Sequence, residues 1–151
     1  MSLLSPDQTA PLDAFGALLE AMARLTKVFD RSLRERVGLT SSWFEALLRI
    51  ERSGGRMTMG ELANQVVLTT GGVTRLVDRM ETEGLVCRQL CAEDRRVSYA
   101  AITERGREVL GRAVEVHIGD LEDHFLGRMT EREREVLVSV MDRIRSEESC
   151  R

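Results

Sequence analysis

Arginine supplies almost all of the positive charge in this chain. Of its 22 basic residues, Lys27 is the one lysine. A guanidinium group is planar and donates several hydrogen bonds in a fixed arrangement, which suits phosphate oxygens and the edge of guanine. Two arginines stand side by side in the run Asp94-Arg95-Arg96, within the polar stretch 91–96. Such a cluster is usually only a solvated loop, so its meaning depends on the elements that present it.

A helix-turn-helix pattern precedes this cluster. Thr58 and Glu61 have the spacing of a capping box, which marks the start of a first helix. After a turn at residues 67–69, a second helix is predicted by an apolar stripe with i, i+3, i+4 and i+7 spacing, formed by Val73, Leu76, Val77 and Met80. Gly84 ends this helix, because glycine readily adopts the positive φ found at helix C-termini. The stripe leaves the opposite helix face free for contact.

Two short strands are predicted on either side of the charged cluster. Residues 85–90 and 97–102 are rich in β-branched and apolar side chains, and the stretch 91–96 joins them as a hairpin. Residues 56–58 could add a third strand. We therefore expect a mainly α fold with a small antiparallel β-wing, which is a winged helix-turn-helix flanked by long N- and C-terminal helices.

The same residues resemble the MarR family of bacterial transcriptional regulators. The matching runs, in order, are Val73-Thr74-Arg75-Leu76-Val77-Asp78-Arg79-Met80-Glu81, Gly84-Leu85-Val86, Asp94-Arg95-Arg96 and Ile102-Thr103-Glu104-Arg105-Gly106. Three positions depart from the family pattern, because Ala92 stands where proline is frequent and Gly71-Gly72 where bulkier residues are common. The resemblance implies a homodimer, joined by its N- and C-terminal helices, that binds a pseudo-palindromic operator in double-stranded DNA as a repressor.

The second helix is then expected to lie in a major groove as the recognition helix. Arg75 is the candidate for reading a base edge; the alternative is a surface ion pair with Asp78, three residues further on. Gly71 and Gly72 would let the backbone approach DNA closely, and the alternative for them is simple tolerance of glycine near a helix end.

The wing is expected to be the second DNA reader. By resemblance, Arg96 would enter the minor groove, where narrow A·T-rich segments attract guanidinium groups. Asp94 would orient Arg96 or pair with an arginine of the recognition helix, whereas Arg95 and Arg88 would contact phosphates. The full predicted contact set is Thr69, Thr70, Gly71, Gly72, Thr74, Arg75, Arg79, Arg88, Asp94, Arg95 and Arg96.

Long helices are predicted outside the winged region, within one compact domain. Residues 1–11 are expected to form a flexible arm, residues 12–36 and 104–151 dimerisation helices, and residues 37–103 the DNA-binding region. The terminal helices carry apolar faces without an obvious partner inside a small winged domain. Packing of two chains against each other would cover these faces.

Composition excludes several other classes of protein. The net charge of −3 argues against indiscriminate binding to nucleic acid. No apolar run approaches the roughly 20 residues of a membrane span, and no signal peptide is recognisable, so a cytoplasmic protein without membrane contact is expected. Cys87, Cys91 and Cys150 do not suggest a disulfide framework.

No arrangement of residues for catalysis is present. The sequence contains no Gly-rich phosphate loop followed by lysine, no Gly-x-Ser-x-Gly and no Cys-x-x-Cys. His117 and His124 lie on one predicted helix about 10 Å apart along its axis, too far for one metal ion to bind both directly. A solvated or dimer-facing pair is the simpler interpretation, so no enzyme, cofactor or metal site is predicted.

A small aromatic or organic-acid effector is the expected signal, bound between the dimer helices and the winged region. Candidate residues for lining its site are Met22, Trp43, Phe44 and Arg49, although Trp43 is also a good core residue. The alternative function is a helical protein–protein interaction module without DNA binding. That alternative would leave the Asp94-Arg95-Arg96 cluster and the Gly71-Gly72 pair without explanation.

Overall fold

Helices precede and follow the strands of a small antiparallel sheet in the sequence of this protein. The computed structural model describes residues 5–66, 70–90, 94 and 97–146. The elements in chain order are α1 (Pro6–Val37), α2 (Ser41–Arg52), β1 (Arg56–Thr58), α3 (Met59–Gln65), α4 (Thr70–Thr82), β2 (Val86–Leu90), β3 (Ser98–Ile102), α5 (Glu104–His124), a 3-10 turn (Leu126–Arg128) and α6 (Glu131–Ser146). The strands pair in the order β1-β3-β2, all antiparallel. The predicted fold, mainly α with an antiparallel wing, is confirmed.

The segment Val28–His117 forms one compact unit of the chain with a continuous apolar core. All five α-helices up to α5 and the three strands contribute to this core. Its largest fully buried side chains are Leu33, Leu47, Ile50, Leu62, Met80, Val73, Val77 and Val86. The apolar stripe predicted on the second helix of the pair is thus buried, and this burial fixes which face of α4 remains outside.

The second compact unit comprises Met1–Lys27 and Ile118–Arg151. Within its described residues, Asp120 is the one buried side chain. Large apolar side chains are exposed instead, namely Leu12, Phe15, Leu18, Leu19, Met22, Ile118, Val136, Val138 and Ile144. This unit therefore lacks an apolar interior of its own in the described part of the chain.

Helix α1 begins at Pro6 and not at the predicted Leu12, so the expected arm is corrected over residues 6–11, which are helical. The backbone N–H of Ser5 donates to the side-chain oxygen of Gln8 at 3.0 Å, as in one half of a capping box. Proline loses no helical hydrogen bond as the first helical residue. Ser5, Pro6 and Gln8 together are thus a helix-start signal that the apolar spacing does not reveal.

The junction between β3 and α5 explains why threonine and glycine occur in the run Ile102–Gly106. The hydroxyl of Thr103 donates to the carbonyl of Gly84 at 2.7 Å and accepts the N–H of Gly106 at 3.0 Å. A Cβ on Gly106 would lie 2.1 Å from the carbonyl oxygen of Leu85, so a side chain there would displace backbone. Gly84 itself has φ +71°, as predicted for a helix end. The start of α5 is therefore fixed against the turn that follows α4.

None of the helices in the described residues combines the length and the apolar content that a membrane span requires.

Candidate nucleic-acid interface

The capping box predicted for the first helix of the pair is present in α3. The Glu61 N–H donates to Oγ1 of Thr58 at 3.1 Å, and the Thr58 N–H donates to Oε2 of Glu61 at 2.9 Å. The hydroxyl of Thr58, and then its backbone N–H, lower the pKa of Glu61 by stabilising the carboxylate. This cap sets the start of α3, which packs against α4 through Leu62 and Val66 in the common core. The turn at 67–69, with Thr69, lies outside the described residues.

The face of α4 opposite the core is available for contact. Thr74, Arg75, Asp78 and Arg79 are exposed, whereas Gly72 is half-buried. Thr70 and Gly71 form the first turn of the helix. These positions agree with the helical pattern, and the DNA contacts expected of them stay predictions.

Arg75 and Asp78 do not form the ion pair that was the alternative to a base contact. Among the described residues, Arg75 has no ion-pair partner, and Asp78 pairs with Arg88 of β2 at 2.6 Å. The Arg75 side chain is exposed, and no carboxylate of the described residues pairs with its guanidinium. This is the state that a side chain needs if it is to bind a base edge or a phosphate.

Arg79 occupies the flank of α4 and lies over an aromatic ring. Its guanidinium carbon is 5.7 Å from the centre of the Trp43 ring on α2, within the range of a cation–π interaction. Trp43 is half-buried and packs against the core. The structure thus gives Arg79 a partner on a neighbouring helix, in addition to the DNA contact predicted for it.

The wing consists of β2 and β3, paired from Val86 opposite Ile102 to Leu90 opposite Ser98. At its far end, the N–H of Val97 donates to the carbonyl of Asp94 at 2.9 Å. Arg95 and Arg96, together with residues 91–93, lie outside the described residues, so their predicted contacts remain predictions. Cys91 and Cys150 also lie outside this part, whereas Cys87 is a half-buried free thiol.

Arg88 is held by two carboxylates of α4, although it was expected to contact phosphate. Its Nη1 is 2.6 Å from Oδ1 of Asp78 and 3.3 Å from Oε2 of Glu81. The sequence reasoning missed Asp78 and Glu81 as partners of this arginine. The sequence does show that these two acids share a face of the helix, because they are three residues apart. It does not show that β2 lies beside that face.

The four candidate effector residues have different surroundings. Phe44 is a core residue, 8% exposed, and Trp43 lies beneath Arg79. Arg49 pairs with Glu45 at 2.6 Å. Met22 belongs to the other compact unit and is 54% exposed. A ligand site that these residues line stays a prediction.

His117 was a further residue whose surroundings the sequence did not reveal. It is half-buried, with its ring centre 5.0 Å from that of Phe29 and 4.9 Å from that of Phe44. The prediction of a solvated side chain is therefore wrong for His117, whereas His124 is exposed. The alternative, a pair of histidines that faces a second chain, stays a prediction. Across the described parts of the chain, no three His, Cys, Asp or Glu side chains are grouped so that they could hold a metal ion.

The chain is similar in sequence to members of a known protein family. Residues 37–97 match the sequence profile of the MarR family. An HTH-type transcriptional regulator of Bacillus cereus (strain ZK / E33L) is 31% identical over 110 residues, which cover 73% of this chain and 72% of that protein.

Two solved structures of MarR family transcriptional regulators from Streptomyces coelicolor are also similar. AbsC superposes with a TM-score of 0.86 at 26% identity, covering 100% of both chains. Sco3205, solved in complex with DNA, has a TM-score of 0.85 at 27% identity, covering 98% of this chain and 94% of its own. This chain therefore belongs to the MarR family, whose members are transcriptional regulators and not enzymes.

Proposed function

We propose that this chain is a cytoplasmic repressor that binds double-stranded DNA sequence-specifically, as a homodimer on a pseudo-palindromic operator. The observation that carries the proposal is the division of α4 into two faces. Val73 and Val77 are buried, while Thr74 and Arg75 are exposed, and Arg75 has no ion-pair partner among the described residues. An outward, uncommitted arginine on the second helix of a helix-turn-helix is suited to reading bases in a major groove.

The related structures support DNA as the partner. Sco3205 was solved in complex with DNA, and its likeness extends over nearly the whole of this chain. The net charge of −3 is compatible with this partner, because specific binding depends on where positive groups lie rather than on the total.

The homodimer is supported by exposed apolar side chains in the unit formed by Met1–Lys27 and Ile118–Arg151. Phe15 is 60% exposed and Val138 is 59% exposed. Leaving many such side chains in water is unfavourable, and packing against a second copy would remove them from solvent. Two-fold symmetry would then place two recognition helices in successive major grooves about 34 Å apart.

A half-site spacing experiment tests this proposal. The protein is titrated against a labelled palindromic promoter fragment, selected from genomic DNA that the protein retains. Inserting five base pairs between the half-sites, roughly half a helical turn, places them on opposite faces of the duplex. We expect the affinity to fall about 100-fold or more, because only one half-site can be bound at a time.

The same insertion outside the palindrome is the control, and it should leave the affinity unchanged. Unchanged affinity after the central insertion would contradict the two-fold geometry. Failure to bind any retained fragment in a salt-dependent manner would favour the alternative function, an interaction module without DNA binding.

We also propose that a small aromatic or organic acid releases the repressor from DNA. Trp43 is half-buried and lies beneath Arg79 of the expected recognition helix, so a ligand beside it would affect that helix. A ligand that prefers one spacing of the recognition helices shifts the DNA-competent population. Because Trp43 is the single tryptophan, its fluorescence reports binding directly.

Benzoate serves as the probe for this ligand response. Titration with benzoate should change the Trp43 emission and weaken DNA binding over the same concentration range. A variant with Cys87, Cys91 and Cys150 replaced by serine should respond equally. Release of the parent protein by peroxide, lost in the serine variant, would instead indicate a redox switch.

A further inference from the structure

Arg88 belongs to the wing, yet its charged group is held by the recognition helix. Its Nη1 lies 2.6 Å from Oδ1 of Asp78 and 3.3 Å from Oε2 of Glu81. The backbone N–H of Arg88 also donates to Oε1 of Glu81 at 2.8 Å. Three polar contacts thus connect α4 to β2, and Arg88 contributes both its side chain and its main chain.

These contacts fix the position of β2 along α4. Because β2 is an edge strand of the sheet, its outer row of backbone groups has no strand partner among the residues that the structure describes. Glu81 binds one group of that row, and a shift of β2 by one residue would turn the Arg88 side chain to the other face. Asp78 and Glu81 are three residues apart, so both carboxylates approach Arg88 from one helix face.

The contribution of this network to folding is expected to be small. Exposed fractions of the side chains are 32% for Arg88, 51% for Asp78 and 38% for Glu81. Ion pairs that are this accessible to water stabilise proteins only slightly. Buried Met80 of α4 and Val86 of β2 already belong to one apolar core. What the network adds is a defined orientation between the helix that carries Arg75 and the strand that leads into the wing.

We propose that Arg88 is a positioning residue for DNA recognition. Through Asp78 and Glu81 it keeps the wing and the recognition helix at the spacing that lets them engage a minor and a major groove together. The single positive charge of Arg88 also offsets one of the two negative charges that Asp78 and Glu81 place on the recognition helix, where they would repel a phosphate backbone. This inference rests on the proposed function and replaces the expected phosphate contact of Arg88.

Removing the two carboxylates separates positioning from phosphate contact. The variant with Asp78→Asn and Glu81→Gln retains Arg88 and loses two negative charges. A phosphate-binding arginine would be released by these changes, so DNA would bind more tightly and with unchanged sequence preference. A positioning arginine would lose its attachment, so the preference contributed by the wing would fall although the protein is more positive.

The measurement uses two labelled duplexes with one palindromic site and either A·T-rich or G·C-rich flanks, since a wing in the minor groove favours narrow A·T-rich segments. Dissociation constants are determined by fluorescence anisotropy over a range of salt concentrations. We call the dissociation constant for the G·C-rich duplex divided by that for the A·T-rich duplex the flank ratio. Both Arg88→Gln and the double variant should reduce the flank ratio by roughly fivefold, the scale of discrimination at one base pair. The slope of affinity against salt should stay that of the parent protein.

Two further variants complete the experiment. Adding Arg88→Gln to the double variant should change the flank ratio no further, because the three residues act as one unit. Arg34→Gln is the matched control, since Arg34 also forms a 2.6 Å pair, with Asp30 on α1. It should leave the flank ratio unchanged. Thermal melting followed by circular dichroism should be similar for all variants.

Three outcomes would overturn the positioning role while DNA binding itself remains. A salt slope lower by about one in Arg88→Gln, with an unchanged flank ratio, would establish a phosphate contact. A double variant that binds more tightly and keeps its flank preference would do the same. A parent protein that binds both duplexes equally would leave no wing preference for Arg88 to maintain. A parent protein that binds neither duplex would instead refute the proposed function, and the positioning role with it.

Discussion

The two compact units of this chain differ in the burial of their apolar side chains. In Val28–His117 the apolar core is closed, with Leu47, Ile50 and Val77 at 0% exposure. In the described part of the other unit, Asp120 is the one buried residue, while Phe15 and comparable side chains are more than half exposed. The first unit has the interior that independent folding requires, whereas the second has the surface that association requires.

This contrast suggests a division of tasks within the proposed repressor. The residues expected to read DNA, such as Arg75, belong to the unit with the closed core, which can hold them in a fixed geometry. The unit with exposed apolar helices is expected to join two chains. Variants in the first unit should therefore affect folding or DNA sequence preference, and variants in the second should affect association.

The largest expected difference between the units is in the free energy of unfolding after a leucine-to-alanine substitution in each of them. Leu47→Ala removes a side chain with 0% exposure and should lower the free energy of unfolding by about 2–5 kcal/mol, because a cavity remains. Leu19→Ala removes one that is 54% exposed and should change the stability of the dissociated chain by roughly 0.5 kcal/mol or less. Urea denaturation at several protein concentrations measures both.

Concentration dependence distinguishes the two units in this experiment. Leu19→Ala should raise the concentration at which two chains associate, as measured by sedimentation, whereas Leu47→Ala should lower stability at every concentration. If Leu19→Ala leaves association unchanged, this part of α1 does not join two chains.

A second prediction concerns sequence preference. Arg75→Ala should reduce discrimination at one position of the half-site by about 1–3 kcal/mol, because a bidentate base contact would be lost. Arg112→Ala, at an exposed position on α5, is the matched control for loss of one positive charge. Selection of random half-site sequences by each variant measures the preference. Equal weakening on all sequences would reassign Arg75 to a phosphate contact.

The periodic parts of this fold were predictable because their causes are local. The burial of Val73, Leu76, Val77 and Met80 follows from spacing on one helix, and the strands follow from alternation and composition. The start of α1 was not predicted by apolar spacing, because it depends on hydrogen bonds between Ser5 and Gln8. Local signals of different kinds therefore have to be combined at helix ends.

The partners of the candidate site residues were less predictable because they come from distant parts of the chain. Arg79 could be assigned to the flank of α4, but the position of Trp43 beneath it depends on how α2 crosses the core. The environment of His117 likewise depends on Phe29 and Phe44, which belong to two other helices. Periodicity indicates that a side chain faces inward or outward, and it does not identify what that side chain meets.

A third, smaller effect is expected where Arg79 lies over Trp43. The double-mutant cycle of Arg79→Met and Trp43→Phe should give a coupling energy of about 0.5–1 kcal/mol in urea denaturation, as for exposed cation–π pairs. Arg79→Met should also change the emission of Trp43, whereas Arg75→Met should not, since Arg75 lies elsewhere on the exposed face. A coupling energy of zero, with unchanged emission, would mean that the two side chains do not interact in solution.

The smallest effect distinguishes the units through their helix caps. Glu61 in the first unit and Glu133 in the second each accept hydrogen bonds from a threonine, Thr58 and Thr130 respectively. The bonds from Thr58 and from Thr130 lower the pKa of each carboxyl from its ordinary value of 4.5. Each carboxyl therefore has a lower pKa in the folded protein than in the unfolded chain. Its contribution to stability is complete at pH values above the unfolded pKa and is lost as the pH falls through the folded pKa.

Glutamine variants at these two positions therefore lose an advantage that exists only when the carboxyl is ionised. Glu61→Gln should lower the cooperative thermal transition of the closed-core unit slightly at pH 7, and the difference should vanish as the pH falls below 4.5. Glu133→Gln should instead increase amide hydrogen exchange at the start of α6, with little change in that transition, because the described part of this helix has no buried residue. Equal effects of both variants on one cooperative transition would show that the two units unfold together.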